Sequence, residues 1–555
     1  MNRMQKLGTA LVAVGLSLLP SHLSATTNVE FLGVGSSALW QTAGIAAWEL
    51  SGKVNHYTFK LTGTGIGVTD SRASNIAPAQ GSLWIAWNSA VTEVYAGVSL
   101  DSTVGNRLFE GTESVSGEDV PAGVLVLPAT IPAAANLISS KLWGNDATSL
   151  PAAVATALRG ARVTAALTDI RPEDGAFATA RAAATLGATV SDGAHSYYGL
   201  GYTGALSESP TDTNWIESTY TVGNDFQVVK FNTHGTDPYT SATIPTFSTY
   251  RVGISPVIVF GNRTSSTGLG AKNSSGKYYF TNLTQAELQT LWTGATDNTS
   301  VFNVAGAPDV ALTVNQREPL SGTYNTFEYQ NIEAPYVAPP GAQESQEKGV
   351  NPILATGNPL DLTSTNGGGV RKRAVGTGEM VGTAVYGTED SLGYAFFSFG
   401  NFSKLAGNTD YGYFTINGYD PIYAAYSDSN GVFPVTGTIS LSSLFANVSS
   451  GNYPIWSDLR MVTYNYGAAG SPTQSNTTTV SGLATQIQTD IKAGTQFPDF
   501  IPFSSADIYR SHYSNGTYTN GSASNGLGGQ SENGGDVDGH IEIGNTPPGT
   551  LNVRL

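Results

Sequence analysis

Short apolar runs alternate along this chain with stretches whose apolar residues recur every three or four positions, the two signatures of strand and helix. Residues 29–40 read as a strand, a glycine turn and a helix opening at Ser36 or Ser37, and Leu39, Trp40, Ala43, Ile45, Ala46 and Trp48 carry the helical spacing onward. Residues 83–87 and 91–100 predict strands, and Asp101-Ser102-Thr103-Val104-Gly105 then repeats the order of strand, small hydroxyl residue, glycine and helix start. Residues 161–172 predict a strand ending in Thr168-Asp169, with Pro172 near the start of an alanine-rich helix through Leu186. Residues 250–262 form an apolar strand, and residues 283–294 an amphipathic helix with Thr284 as cap and Glu287 as capping-box acid. A β-branched run over residues 310–314 leads to Arg317, after which Ser321-Gly322-Thr323 opens a helically spaced stretch with Phe327 facing inward. A strand around Leu392-Gly393-Tyr394, a second over residues 452–464 and a helix over residues 480–492 complete the pattern. Strands alternating with helices predict an α/β fold.

The turns between these elements share one chemistry. Free N–H groups in a helix's first turn, the helix dipole and a neighbouring guanidinium all favour a bound oxyanion. Ser36, Ser37 and Ala38 offer such a turn, Ser102 and Thr103 a second, and Ser321, Gly322 and Thr323 a third beside Arg317. Taken singly, each also fits an ordinary capped helix. Asp169 differs in kind: an ionised carboxylate repels an anion unless that anion still carries a proton to donate. Phosphate near neutral pH keeps such a proton and sulfate does not, so Asp169 would select between them; the alternative is that it simply caps the helix that follows.

Composition narrows the partners. The 555 residues are 40% hydrophobic and 12% charged, ample for two domains with cores. No cysteine is present, which excludes disulfides, thiolate metal sites, a cysteine nucleophile and a lipid-bearing N-terminal cysteine. The six histidines (His22, His56, His195, His234, His512 and His540) show no metal-ligand spacing, so neither a metal nor a cofactor is expected. Arg3 and Lys6, the apolar residues 7–19, Pro20 and Ser24-Ala25 make a signal-peptide pattern over residues 1–25, and no later run is long enough to span a bilayer. The net charge of −16 becomes −18 once that leader takes away its two cations, which excludes nucleic acid as a partner. From Ser511 onward glycine, asparagine and serine dominate, a composition that predicts a disordered tail over residues 511–555.

The motif Arg317-x-x-x-Ser321-Gly322-Thr323 followed by an aromatic resembles the second-lobe motif of the phosphate-binding subunit of bacterial ABC importers. Gly33-x-Gly35-Ser36-Ser37 is similar to that family's opening strand and loop, Thr168-Asp169 to its Ser-Asp-x-Pro segment, and residues 101–105 stand where it has a Gly-Ser-Ser-Gly-Gly turn. The resemblance implies a two-lobe, type II periplasmic-binding-protein-like fold with the second lobe inserted in the first. Residues 26–249 would begin the first lobe, with an insertion near 111–160; residues 250–405 would form the second, and residues 406–510 would return to the first. It also implies a helix after the glycine turn at 367–369, within residues 370–385. The function it implies is that of a monomeric, non-enzymatic, periplasmic or secreted protein. Such a protein captures phosphate or a related tetrahedral oxyanion through Ser36, Ser37, Ala38, Ser102, Thr103, Asp169, Arg317, Ser321, Gly322 and Thr323, and hands it to an ABC permease. Two other readings compete: a secreted or surface structural protein that keeps the fold without the ligand, and a hydrolase using Ser321 or Ser37 as nucleophile.

Overall fold

The computed structural model describes residues 26–71, 78–110, 112–115, 118–138, 142–170, 233–236, 243–245, 247–292, 296–317, 321–327, 368–374, 376–435, 444–464, 477–493 and 499–502. The signal-peptide pattern, the alanine-rich helix after Pro172 and the tail from Ser511 lie outside the described residues.

The first part of the chain supplies strands β1 (Asn28–Gly35), β2 (Asn55–Lys60), β3 (Ser82–Trp87), β4 (Glu93–Ser99) and β5 (Ala165–Thr168), with helices α1 (Ser37–Leu50) and α2 (Ser102–Glu110). A 16-residue strand β6 (Phe247–Asn262) follows, then α3 (Gln285–Trp292), β7 (Thr313–Arg317), the short α4 (Gly322–Phe327), β8 (Val370–Ala374) and α5 (Gly376–Glu379). Strands β9 (Ser391–Phe396), β10 (Tyr411–Tyr413) and β11 (Trp456–Tyr464), helix α6 (Thr477–Ala493) and strand β12 (Ile501–Pro502) complete the frame. All twelve strands join one sheet in the order β8-β7-β9-β6-β11-β5-β1-β4-β3-β2, with β10 and β12 also on β6.

Strand β6 is the joint of this sheet. Its first part, from Phe247 to Pro256, runs antiparallel to β11, while Val257 to Gly261 pairs with β9 and Phe260 to Asn262 with β10. Two wings therefore share one long strand: β1, β4 and β5 on one side are mutually parallel, as are β7, β8 and β9 on the other. In both wings the parallel strands deliver their carboxyl ends to the turns that carry Ser36, Asp101, Asp169 and Arg317.

Local sequence explains the main elements. Gly35 turns β1 into α1 at φ +130, and its N–H neighbour Ser36 donates to the Leu167 carbonyl at 2.7 Å, an approach that a side chain at position 35 would block. Phe31 stacks on Trp84 at 6.3 Å beneath α1, whose residues Leu39, Ala43, Ile45 and Ala46 are fully buried. At α3 the capping box is complete: Thr284 N–H donates to Glu287 Oε2 at 2.6 Å and Glu287 N–H to Thr284 Oγ1 at 3.2 Å. Thr284→Ala is expected to lower stability by about 1 kcal/mol, read as a shift in the urea unfolding midpoint with unchanged slope.

The helix expected within residues 370–385 is present but starts later than the glycine turn suggests: Val370–Ala374 is a strand, paired residue for residue with β7 from Thr313↔Val370 to Arg317↔Ala374. Strand β7 has β9 on its other side, so β8 satisfies backbone groups on its open edge, and the helical turns start only at Gly376 and continue as a π-helical turn over Met380–Ala384. Residues of the 111–160 region form a hairpin (Thr112–Val115 with Glu118–Pro121), a strand Gly123–Val126 paired with Gly67–Asp70, and a helix Ala152–Leu158.

Candidate functional site

Four turns meet at the carboxyl ends of β1, β4, β5 and β7. Ser36 is the N-cap of α1; its Oγ accepts the Ala38 N–H at 3.2 Å and donates to Asp169 Oδ2 at 3.3 Å. Ser37, half-buried, shares a hydrogen bond of 3.2 Å with Thr377 Oγ1. Asp101 precedes α2, its carbonyl accepting the Gly105 N–H at 2.8 Å, and Ser102 Oγ accepts the Asp169 N–H at 3.3 Å.

Asp169 is held from three sides. Besides those bonds, its carbonyl accepts a short hydrogen bond from Ser457 Oγ, and Thr168 beside it bonds both polar backbone groups of Ile170 and receives Asn106 Nδ2 at 3.2 Å. The carboxylate is 2% exposed. Burial pushes its pKa above the ordinary carboxylate range, against the opposing hydrogen bonds of Ser102 and Ser36 and the charge of Arg317. Its Oδ1 and the Thr103 hydroxyl are buried without a hydrogen-bond partner among the described residues.

The opposite wing contributes Arg317, also 2% exposed. Its N–H donates to the Tyr394 hydroxyl at 3.2 Å, Nη1 to Thr377 Oγ1 at 2.9 Å and to Thr323 Oγ1 at 3.4 Å, and Nη2 to Asp101 Oδ1 at 2.9 Å. Ser321 Oγ accepts the Tyr324 N–H at 3.3 Å, the expected cap, and Phe327 is buried, stacked on Tyr394 at 4.1 Å with Trp292 edge-on at 5.2 Å. Gly322 lies directly against Asp169: a Cβ there would come within 2.6 Å of Asp169 Cγ and 2.7 Å of Ser102 Cβ.

Of the ten residues singled out by sequence, Ser36, Ala38, Ser102, Asp169 and Gly322 lie in direct contact, Thr323 bonds Arg317, and half-buried Ser37 reaches Arg317 through Thr377; Thr103 and Ser321 are buried in the same turns as Ser102 and Gly322. Sequence reasoning passed over four contributors. Asp101 had a signal, since it stands in the N-cap position before Ser102. Thr377, Ser457 and Tyr394 had none, because only tertiary folding brings them to these turns.

The cluster carries hydroxyls, helix first turns, one guanidinium and two carboxylates, Asp101 paired with the guanidinium and Asp169 beside Ser36 and Ser102. Hydroxyls, first-turn N–H groups and a guanidinium are groups that can hydrogen-bond an anion. Among the described residues no group of three or more histidine or acidic side chains is arranged to hold a metal ion.

No protein-family model matches the chain. No curated protein matches it either. Among solved structures it is similar to an ABC-type phosphate transport receptor from Vibrio cholerae (13% identity, 47% of this chain and 75% of that one, TM-score 0.27). It is also similar to a phosphate-binding protein from Stenotrophomonas maltophilia (12% identity, 74% and 84%, TM-score 0.30) and to a DING protein (12% identity, 85% and 91%, TM-score 0.32). Scores this low carry neither a fold nor a ligand across, so the chemistry of the site rests on this chain's own residues.

Proposed function

We propose that this protein is an extracytoplasmic solute-binding protein that captures phosphate, or a related tetrahedral oxyanion that keeps a proton, and delivers it to a membrane permease. The observation that carries the reading is the burial of Arg317 and Asp169 in one hydroxyl-lined cluster between the first turns of α1 and α2. Capture needs no covalent step. Ser36, Ser37, Ala38, Ser102 and Thr103 donate from one wing; Arg317, Gly322 and Thr323 donate from the other, and Asp169 accepts the anion's remaining proton. Shut away from water, these hydrogen bonds strengthen.

Isothermal titration with phosphate, sulfate and molybdate tests the proposal. Heat with phosphate alone supports it, and silence with all three removes it. Asp169→Asn is expected to bind phosphate about 10- to 100-fold more weakly, the worth of one charge-assisted hydrogen bond, while accepting sulfate better. The wild-type preference also depends on pH with a definite sign. As pH falls through the raised pKa of Asp169 its carboxyl becomes a donor, so sulfate binding appears on acidification and vanishes as pH rises. A phosphate-to-sulfate ratio that ignores both pH and the substitution would remove this account of Asp169.

A further inference from the structure

Arg317 already holds an anion, and that anion belongs to the chain itself. Its Nη2 donates to Asp101 Oδ1 at 2.9 Å, an ion pair between residues 216 positions apart, with both side chains nearly inaccessible. The pair joins the turn after β4 in one wing to the end of β7 in the other. A second tie runs in parallel, since Thr377 Oγ1 accepts from Arg317 Nη1 and is bonded to Ser37 at the start of α1.

We propose that Asp101 is a displaceable internal counter-anion: its carboxylate latches the two wings through Arg317 when no solute is bound, and an incoming oxyanion must take Arg317 from it. This rests on the solute-binding reading above. Charge and position support it. Asp101 stands before the first turn of α2, where helix dipole and guanidinium both favour negative charge, so carboxylate and solute compete for the same two attractions. With Asp169 beside them, an oxyanion seated next to an undisplaced Asp101 would place three anionic groups around one arginine. Repulsion between like charges in a buried site makes that arrangement unfavourable unless one group leaves. Asp101 therefore sets the affinity: the fraction of molecules in which it holds Arg317 is the fraction unable to bind.

Asp101→Asn and Asp101→Ser test this, both residue types being suited to the position before a helix. Phosphate titrations of wild type and variants are paired with hydrogen exchange of residues 321–327 in solute-free protein. The expected result is phosphate affinity about tenfold or more above wild type, as follows if nine in ten molecules are latched, together with faster exchange at 321–327. Equal or weaker phosphate binding by both variants overturns the competition and makes Asp101 a positioning partner of Arg317. Unchanged exchange overturns the latch. Silence of wild type and variants alike toward phosphate, sulfate and molybdate instead sinks the solute-binding reading, an outcome distinct from binding without a gain.

Discussion

Arg317→Met is expected to abolish detectable phosphate binding, a loss of about 1,000-fold or more, and to lower unfolding stability by about 3–5 kcal/mol. Both effects have one origin. Methionine keeps most of the apolar stem but removes the guanidinium that faces Asp101, Thr323 and Thr377. Asp101 and Asp169 then remain in the same buried cluster without the cation between them, and the Asp169 carboxyl, already pushed up by burial, loses the charge that opposed that rise. Removing one partner of a buried ion pair costs far more than the intact pair contributes. The double variant Arg317→Met with Asp101→Asn is therefore expected to recover much of the stability while staying unable to bind. Arg317→Lys should fall between, because an ammonium is a point charge and cannot serve Asp101 and Thr377 through two separate nitrogens of one planar group. Titration calorimetry and urea unfolding read the two quantities separately. Phosphate affinity within a few-fold of wild type in Arg317→Met would remove the guanidinium from the site.

How much of this could be read from the sequence depends on the range of the interaction. The opening of α1 at Ser36 and the capping box of α3 are settled within four residues, and both stand where the spacing of hydroxyl, acid and apolar residues puts them. The same holds for the Ser321 cap and for Phe327 turning inward. Beyond a few turns the local signal ends. Nothing near Val370 says that β7 has an open edge, so the resemblance, which implies a helix after the glycine turn, gives no sign of the strand Val370–Ala374 that pairing with β7 places before it. Asp101 has the residue type and position of an N-cap, yet Oδ1 pairs with an arginine 216 positions away. Ser457, which fixes the Asp169 carbonyl, sits in a strand of mixed polar and apolar residues 288 positions away, with nothing local to name its partner. Sequence thus identifies the groups each turn brings, while the choice of partners among those groups is made by the sheet.

Gly322→Ala tests that choice of partners with every charge left in place. The new methyl would lie 2.6 Å from Asp169 Cγ and 2.7 Å from Ser102 Cβ, closer than carbon atoms pack, so something must shift. Asp169 cannot easily yield, being tied by Ser36 through its carboxylate, by Ser102 through its N–H and by Ser457 through its carbonyl. The turn cannot easily yield either, because Phe327 at the far end of α4 is stacked on Tyr394 with Trp292 edge-on to it. The expected result is an overpacked contact costing about 1–3 kcal/mol of stability. Phosphate affinity should fall by up to about 100-fold, the order of loss that a misplacement of roughly 1 Å can cause where groups must be held in position. Gly378→Ala is the control: it lies in the same wing, a Cβ there meets nothing within 4 Å, and the change should leave binding untouched while adding about 0.5–1 kcal/mol of helix stability. If Gly322→Ala binds phosphate as wild type does, the two wings do not meet around the solute at Gly322 and Asp169, whatever Arg317 contributes. If only Gly322→Ala fails, the approach of a bare backbone to a buried carboxylate is a requirement of capture, independent of the charges that attract the anion.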